Sequence, residues 1–187
     1  PHAKKGNPYV GVMRLYYGIE DGFFEGQAAI TVYGPINPGT GTWQNRFGSA
    51  LAACDLNNDG ITDLAVTAPL DEDLQIAPLA PGQGAIHVFY GTAQGLSEVA
   101  AQKIYGYLPD GPEQWKPGGG IGKSLVSGDF NGDGYCDLAA GNKDFTTATG
   151  TAGDDGLVAV YLGKKPTKES PSGLELYPHR VWEAQDT

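Results

Sequence analysis

Two stretches of this chain carry the same arrangement of oxygen-bearing side chains. Asp55-Leu56-Asn57-Asn58-Asp59-Gly60-Ile61-Thr62-Asp63 and Asp129-Phe130-Asn131-Gly132-Asp133-Gly134-Tyr135-Cys136-Asp137 each place Asp or Asn at positions 1, 3, 5 and 9, with glycine at position 6. Carboxylate and amide oxygens are hard donors, and a short loop presenting several of them suits a hard cation. The expected ligands are the side chains of Asp55, Asn57, Asp59 and Asp63 with the Ile61 carbonyl, then those of Asp129, Asn131, Asp133 and Asp137 with the Tyr135 carbonyl. Gly60 and Gly134 permit the sharp turn inside each loop. A flexible all-protein cage favours calcium over the smaller, strictly octahedral magnesium, so about two calcium ions per chain are expected. An EF-hand is excluded, because it needs a bidentate Glu at position 12 and flanking helices; position 12 here is Val66 or Ala140. The alternative to a metal is an Asx turn built from the same side chains. In both readings the loop is structural and pins two strands together.

No other constellation rivals these loops. His2, His87 and His179 have no Ser or Cys beside them in a nucleophile motif, and no HExxH motif or CxxC pair occurs. Gly118-Gly119-Gly120-Ile121-Gly122-Lys123-Ser124 has the composition of a phosphate loop, but it lacks the spaced first glycine and leads into a strand. His87 falls mid-strand and reads as a packed histidine with its ring nitrogen satisfied. Asp71, Glu72, Asp73, Asp154 and Asp155 read as solvated loop charge. The chain is therefore expected not to be an enzyme.

The elements that must position the loops follow from composition and period. A chain of 187 residues is about one domain in length. With Gly 29, Pro 13 and no long run of helix formers, it reads as all-β, with many short strands joined by turns. The net charge of −10 and the absence of a Lys/Arg cluster exclude nucleic acid as a partner. Asp55, Asp59, Asp63, Asp129, Asp133 and Asp137 contribute six of the negative charges. No apolar run approaches the roughly 18 residues of a membrane span. The opening Pro1-His2-Ala3-Lys4-Lys5 is no signal peptide and suggests a processed product or a piece of a longer chain. Cys54 and Cys136 are the only cysteines; a bridge between them and two free thiols both fit the sequence.

The loop belongs to a repeat. The two copies start 74 residues apart, and Phe47-Gly48 and Ile121-Gly122 stand eight residues before them. Each loop is followed by an apolar run, Leu64 to Pro69 or Leu138 to Gly141, and then by a polar stretch. Glycine-framed strands come next: Gly84 to Gly91, Gly156 to Gly163, and an earlier copy at Gly11 to Gly18. A glycine turn and a last strand close each unit, the last strands being Ala28 to Tyr33, Ala101 to Tyr105 and Arg180 to Ala184. Four antiparallel strands per repeat is the signature of a propeller blade. The fold expected is a partial β-propeller: residues 9–34 form the second half of a blade, and 44–108 and 118–187 form two whole blades.

Phe47-Gly48 followed by Thr67-Ala68-Pro69, with the acidic loop between them, resembles the FG-GAP repeat, the blade unit of the integrin alpha-subunit propeller and its bacterial relatives. The second unit departs from the namesake pattern at Ile121 and at Ala139-Ala140-Gly141. The resemblance implies a ring of about seven blades. The remaining blades would come from the same longer chain or from another subunit, and the ends of this segment would expose sheet faces. It also implies a partner-binding face opposite the ion loops, formed by residues 35–46, 70–83, 109–120 and 142–155. Trp43 and Trp115 lie there, as binding anchors or as plugs between blades. The function expected is a calcium-stabilised, extracellular or cell-surface, non-catalytic adhesion, protein-binding or assembly module. The alternatives are an accessory propeller of a secreted hydrolase and a carbohydrate-binding propeller with Trp43 and Trp115 as stacking platforms.

Overall fold

A computed structural model of the chain describes residues 11–18, 29–35, 45–71, 84–106, 120–144, 156–165, 167, 173–175 and 179–183. Among them there is no helix. The strands are β1 (Val12–Leu15), β2 (Ile30–Tyr33), β3 (Leu51–Cys54), β4 (Asp63–Ala68), β5 (Ala85–Phe89), β6 (Gly91–Thr92), β7 (Gly95–Leu96), β8 (Gln102–Tyr105), β9 (Ser124–Gly128), β10 (Asp137–Asn142), β11 (Leu157–Tyr161) and β12 (Arg180–Glu183). They form two four-stranded meanders, β3-β4-β5-β8 and β9-β10-β11-β12, beside the two-stranded sheet β1-β2 and the small hairpin β6-β7. All pairings between these strands are antiparallel. The architecture is all-β, a partial β-propeller. Trp43 and Trp115, and most of the loops expected on the partner-facing side, lie outside the described residues.

Side-chain alternation explains why the strands stack. Successive residues of a strand point to opposite faces, and in the middle sheet both faces are covered. Val66, Ala68 and Phe89 join Met13 and Phe47 in one core toward the β1-β2 sheet. Ala65, Ile86, Val88 and Ile104 join Leu138, Ala140, Leu157, Ala159 and Tyr161 in a second core toward the third sheet. All five residues of β5 are consequently buried, as its β-branched and aromatic composition leads one to expect. The Phe47 ring meets His87 edge-on at 5.4 Å and Phe89 at 6.2 Å between centroids, which gives the first residue of the Phe-Gly pair its role as a wedge between sheets.

The third sheet is covered on one face only. Val126, Val158 and Trp182 are 54%, 44% and 49% exposed, and Val126 and Trp182 line an open apolar groove with Phe130, Ala139 and Val160. Val158 stands opposite Trp182 in register, as Ile86 stands opposite Ile104 in the middle sheet. The outer face of the third sheet thus repeats the chemistry of a face that is fully buried one sheet earlier. Truncation at the two equivalent positions should separate covered from open. Ile86→Ala is expected to cost about 2–5 kcal/mol through lost burial and a residual cavity. Val158→Ala is expected to cost less than about 1 kcal/mol. Urea unfolding of both variants measures this, and equal losses would contradict the open face.

Candidate metal centre

Both acidic loops are hairpin tips. The pairs Cys54 with Asp63 and Gly128 with Asp137 close the β3-β4 and β9-β10 ladders, and the loop residues lie between. The hydrogen bonds inside the two loops match. Asp55 accepts from the Asp59 and Gly60 N–H groups at 3.0 and 2.8 Å. Asp129 accepts from Asp133 and Gly134 at 3.1 and 2.9 Å, and from Gly132 at 2.7 Å. Asn57 and Asn131 each accept from the N–H two residues on and donate their amide to the Asp59 or Asp133 carboxylate at 2.9 Å. Asp59 and Asp133 accept from Ile61 and Tyr135 N–H at 2.8 and 2.9 Å. Gly60 and Gly134 turn the chain with φ of 87° and 86°, a region that favours glycine.

Position 9 behaves differently from positions 1, 3 and 5. Asp63 and Asp137 are buried. Asp63 accepts from Leu56 N–H at 2.8 Å and Asn57 N–H at 3.2 Å with one oxygen, and from Gly91 N–H at 2.8 Å with the other. Asp137 accepts from Phe130 N–H at 2.8 Å and Gly163 N–H at 2.7 Å. Each carboxylate therefore ties the start of its loop to the end of the third strand of its sheet. Glycine is required at that strand end. A Cβ on Gly91 would lie 2.3 Å from the Thr62 carbonyl oxygen, and one on Gly163 would lie 2.3 Å from that of Cys136. The two glycines were legible only as strand frames; their fit against the loop was not.

The electrostatics follow the hydrogen bonds. Burial pushes the Asp63 carboxyl up against the lowering effect of the Gly91, Leu56 and Asn57 N–H groups. The N–H groups of Gly134, Gly132, Asp133 and Asn131 hold the Asp129 carboxyl below the usual range although burial opposes them. Burial, with the Asp63 and Asp59 charges, raises the phenol of Tyr90 beside the first loop. Among the described residues no three acidic, imidazole or thiol groups converge as a ready cage. The donor set still fits a hard cation. Each loop carries two carboxylates and an amide oxygen around one tight turn, with the position-7 carbonyl as a further oxygen donor in the sequence.

The two loops are joined covalently. Cys54 and Cys136 form a disulfide across a Cα–Cα distance of 6.4 Å, which resolves the choice the sequence left between a bridge and free thiols. Cys54 directly precedes position 1 of the first loop, and Cys136 directly precedes position 9 of the second.

One loop acid is not solvated. Asp71 is fully buried, and its carboxylate meets His87 Nε2 at 2.9 Å and Lys103 Nζ at 2.8 Å. His87 and Lys103 face each other across β5 and β8, and the ammonium lies 4.4 Å from the Tyr105 ring centroid. The reading of Asp71 as loop charge fails because Asp71 closes the turn after β4, where its backbone is held by Ala68 and Gly84. The reading of His87 as a satisfied, packed histidine holds.

Comparison with known proteins bears on the whole unit. A family model for the FG-GAP repeat matches residues 47–89 and 122–161. The chain carries FG-GAP repeats. Rat phosphatidylinositol-glycan-specific phospholipase D is 33% identical over 68% of this chain and 14% of its own length. Mouse integrin alpha-E is 29% identical over 77% of this chain and 13% of its own, and the bovine phospholipase D is 32% identical over 76% and 16%. The FG-GAP chain thus spans well under a fifth of the length of these curated relatives. Both acidic loops fall inside the matched residues.

Two substitutions test the geometry. Asp63→Asn replaces an acceptor oxygen by a donor facing backbone N–H groups. It should destabilise the calcium-free protein by about 1–3 kcal/mol while Asp55→Asn, at a half-buried position, should cost less; thermal unfolding in chelator reads the difference. For Asp71, burial alone would raise its carboxyl, but the His87 hydrogen bond and the Lys103 ammonium hold it below the usual value of 3.8. A depressed carboxyl stabilises above its ordinary value, and that contribution is lost as pH falls through the lowered one. Asp71→Asn should therefore cost about 3–5 kcal/mol near neutral pH and show a shallower loss of stability below about pH 4, measured by urea unfolding across pH.

Proposed function

We propose that this chain is a calcium-stabilised, extracellular FG-GAP propeller module that serves adhesion, protein binding or assembly and carries no catalysis of its own. The observation that carries the reading is the duplicated loop. The same oxygens at positions 1, 3 and 5 adopt the same hydrogen-bond pattern in two sheets with different neighbours. Asp55, Asn57, Asp59 and the Ile61 carbonyl would hold one ion, and Asp129, Asn131, Asp133 and the Tyr135 carbonyl a second, with Asp63 and Asp137 fixing each loop to its sheet. A bound calcium would supply positive charge where three aspartates per loop otherwise repel one another. The disulfide supports an oxidising, extracellular setting, where calcium is abundant enough for sites of about 10⁻⁴–10⁻³ M.

The open face of the third sheet supports assembly. Its partner in this reading is a further sheet of the same kind, from the same longer polypeptide or from another subunit, because the equivalent face of the middle sheet is buried by such a sheet. The similarity to phosphatidylinositol-glycan-specific phospholipase D favours a second reading, an accessory propeller attached to a secreted hydrolase. The reading as a glycan binder rests on Trp43 and Trp115, which lie outside the described residues.

Calorimetric titration of the chelated chain with calcium should give about two sites. At 100 times the dissociation constant, each filled site should add about 2.7 kcal/mol of stability, read as a rise in melting temperature. Asp59→Ala and Asp133→Ala should each remove one site. A flat titration would sink the calcium reading.

A further inference from the structure

We propose that the Cys54–Cys136 bridge makes the two acidic loops one cooperative cation-binding unit, with both cysteines acting as positioning residues; this rests on the calcium reading above. The placement of the bridge carries the argument. Cys54 is the sequence neighbour of Asp55 at position 1 and the cross-strand partner of Asp63 at position 9. It therefore touches both ends of the first loop through the backbone. Cys136 lies between Tyr135, whose carbonyl is position 7, and Asp137 at position 9. The covalent path from position 1 of the first loop to the carboxylate that roots the second runs Asp55, Cys54, Cys136, Asp137.

Each end of the bridge is packed against its own loop. On the second loop, the Cys136 backbone lies against Gly163, where a Cβ would be 2.3 Å from its carbonyl oxygen, and Gly163 N–H is bonded to Asp137. On the first loop, Leu56 at position 2 is buried in the core shared with the third sheet, together with Cys136 and Leu174. The first strands β3 and β9 run side by side, and Ser127 Oγ donates to the Ala53 carbonyl at 3.1 Å. Ordering one loop around a cation thus restricts the anchor of the other before its own cation arrives. The second ion then orders a loop that has already lost part of its freedom, which is positive coupling through conformational entropy. Charge opposes it weakly: the first divalent ion lowers the pull of the acidic surface on the second, but Asp59, Asp129 and Asp133 are exposed, so water and salt screen that repulsion.

The test uses the full chain, calcium and calorimetry. In the bridged protein, Asp133→Ala empties the second loop and should weaken calcium at the first loop about fivefold or more, the lower end of ordinary coupling. In the Cys54→Ser/Cys136→Ser protein, shown to be folded by circular dichroism, Asp133→Ala should leave first-loop affinity unchanged. Ser127→Ala, which keeps the bridge, should preserve the coupling. If the serine pair does not fold, hydrogen exchange decides: in bridged Asp133→Ala with calcium, the Gly60 amide should exchange faster than in the parent, and equal exchange overturns the coupling. Two calcium ions bound with independent affinities in the bridged protein, or equal loss with and without the bridge, likewise overturn the coupling alone. No calcium heat in the bridged parent overturns the cation reading and the coupling with it.

Discussion

The structure depends on one buried carboxylate used twice. Asp63 and Asp137 each bind the N–H groups that open their loop and the N–H of a glycine at the far end of the third strand. Without that double acceptor, three strands of a sheet would meet at the rim with unpaired backbone donors in a buried setting, where each costs about 1–3 kcal/mol. With it, the acidic loop has a fixed root, and the oxygens at positions 1, 3 and 5 are free to gather around a turn. The same tie requires Gly91 and Gly163, since any side chain there would overlap the loop backbone. Loop, strand and glycine are one device, which explains why they recur together in each repeat.

Packing between sheets supplies the rest. The middle sheet alternates its side chains between two cores, and the loops contribute to those cores directly. Leu56 is 2% exposed because the next sheet covers it, whereas Phe130, at the same loop position, is 49% exposed on the open side. The difference lies in the neighbour, since the loop geometry is the same in both. The disulfide adds a covalent link between the first strand of the middle sheet and the second loop.

The all-β meander and the hairpin placement of both loops were legible in the sequence, because glycine frames and a near-constant period mark the third strand of each unit, whereas the short β6-β7 hairpin was read only as a glycine turn. The six loop aspartates were legible as a group, but the split between positions 1, 3 and 5 and position 9 was not. It depends on Gly91 and Gly163, 28 and 26 residues downstream, and a spacing rule within the loop does not contain them. Asp71 was misread for a related reason. A carboxylate next to Glu72 and Asp73 has the composition of a solvated loop, and only the cross-strand register of His87 with Lys103 reveals the buried pair waiting for it. The bridge between Cys54 and Cys136 was undetermined because its two halves occupy different slots of the repeat.

The two faces of each four-stranded sheet are chemically unlike. One presents Val66, Ala68 and Phe89, or Ala140, Ala159 and Tyr161; the other presents Ala65, Ile86 and Val88, or Ala139, Val158 and Val160. The contact between successive sheets is therefore heterologous, one kind of surface meeting another, and differs from the self-complementary patch of a twofold dimer. A stack built this way has a direction. It closes into a ring if the rotation per sheet divides the circle and otherwise continues as an open spiral.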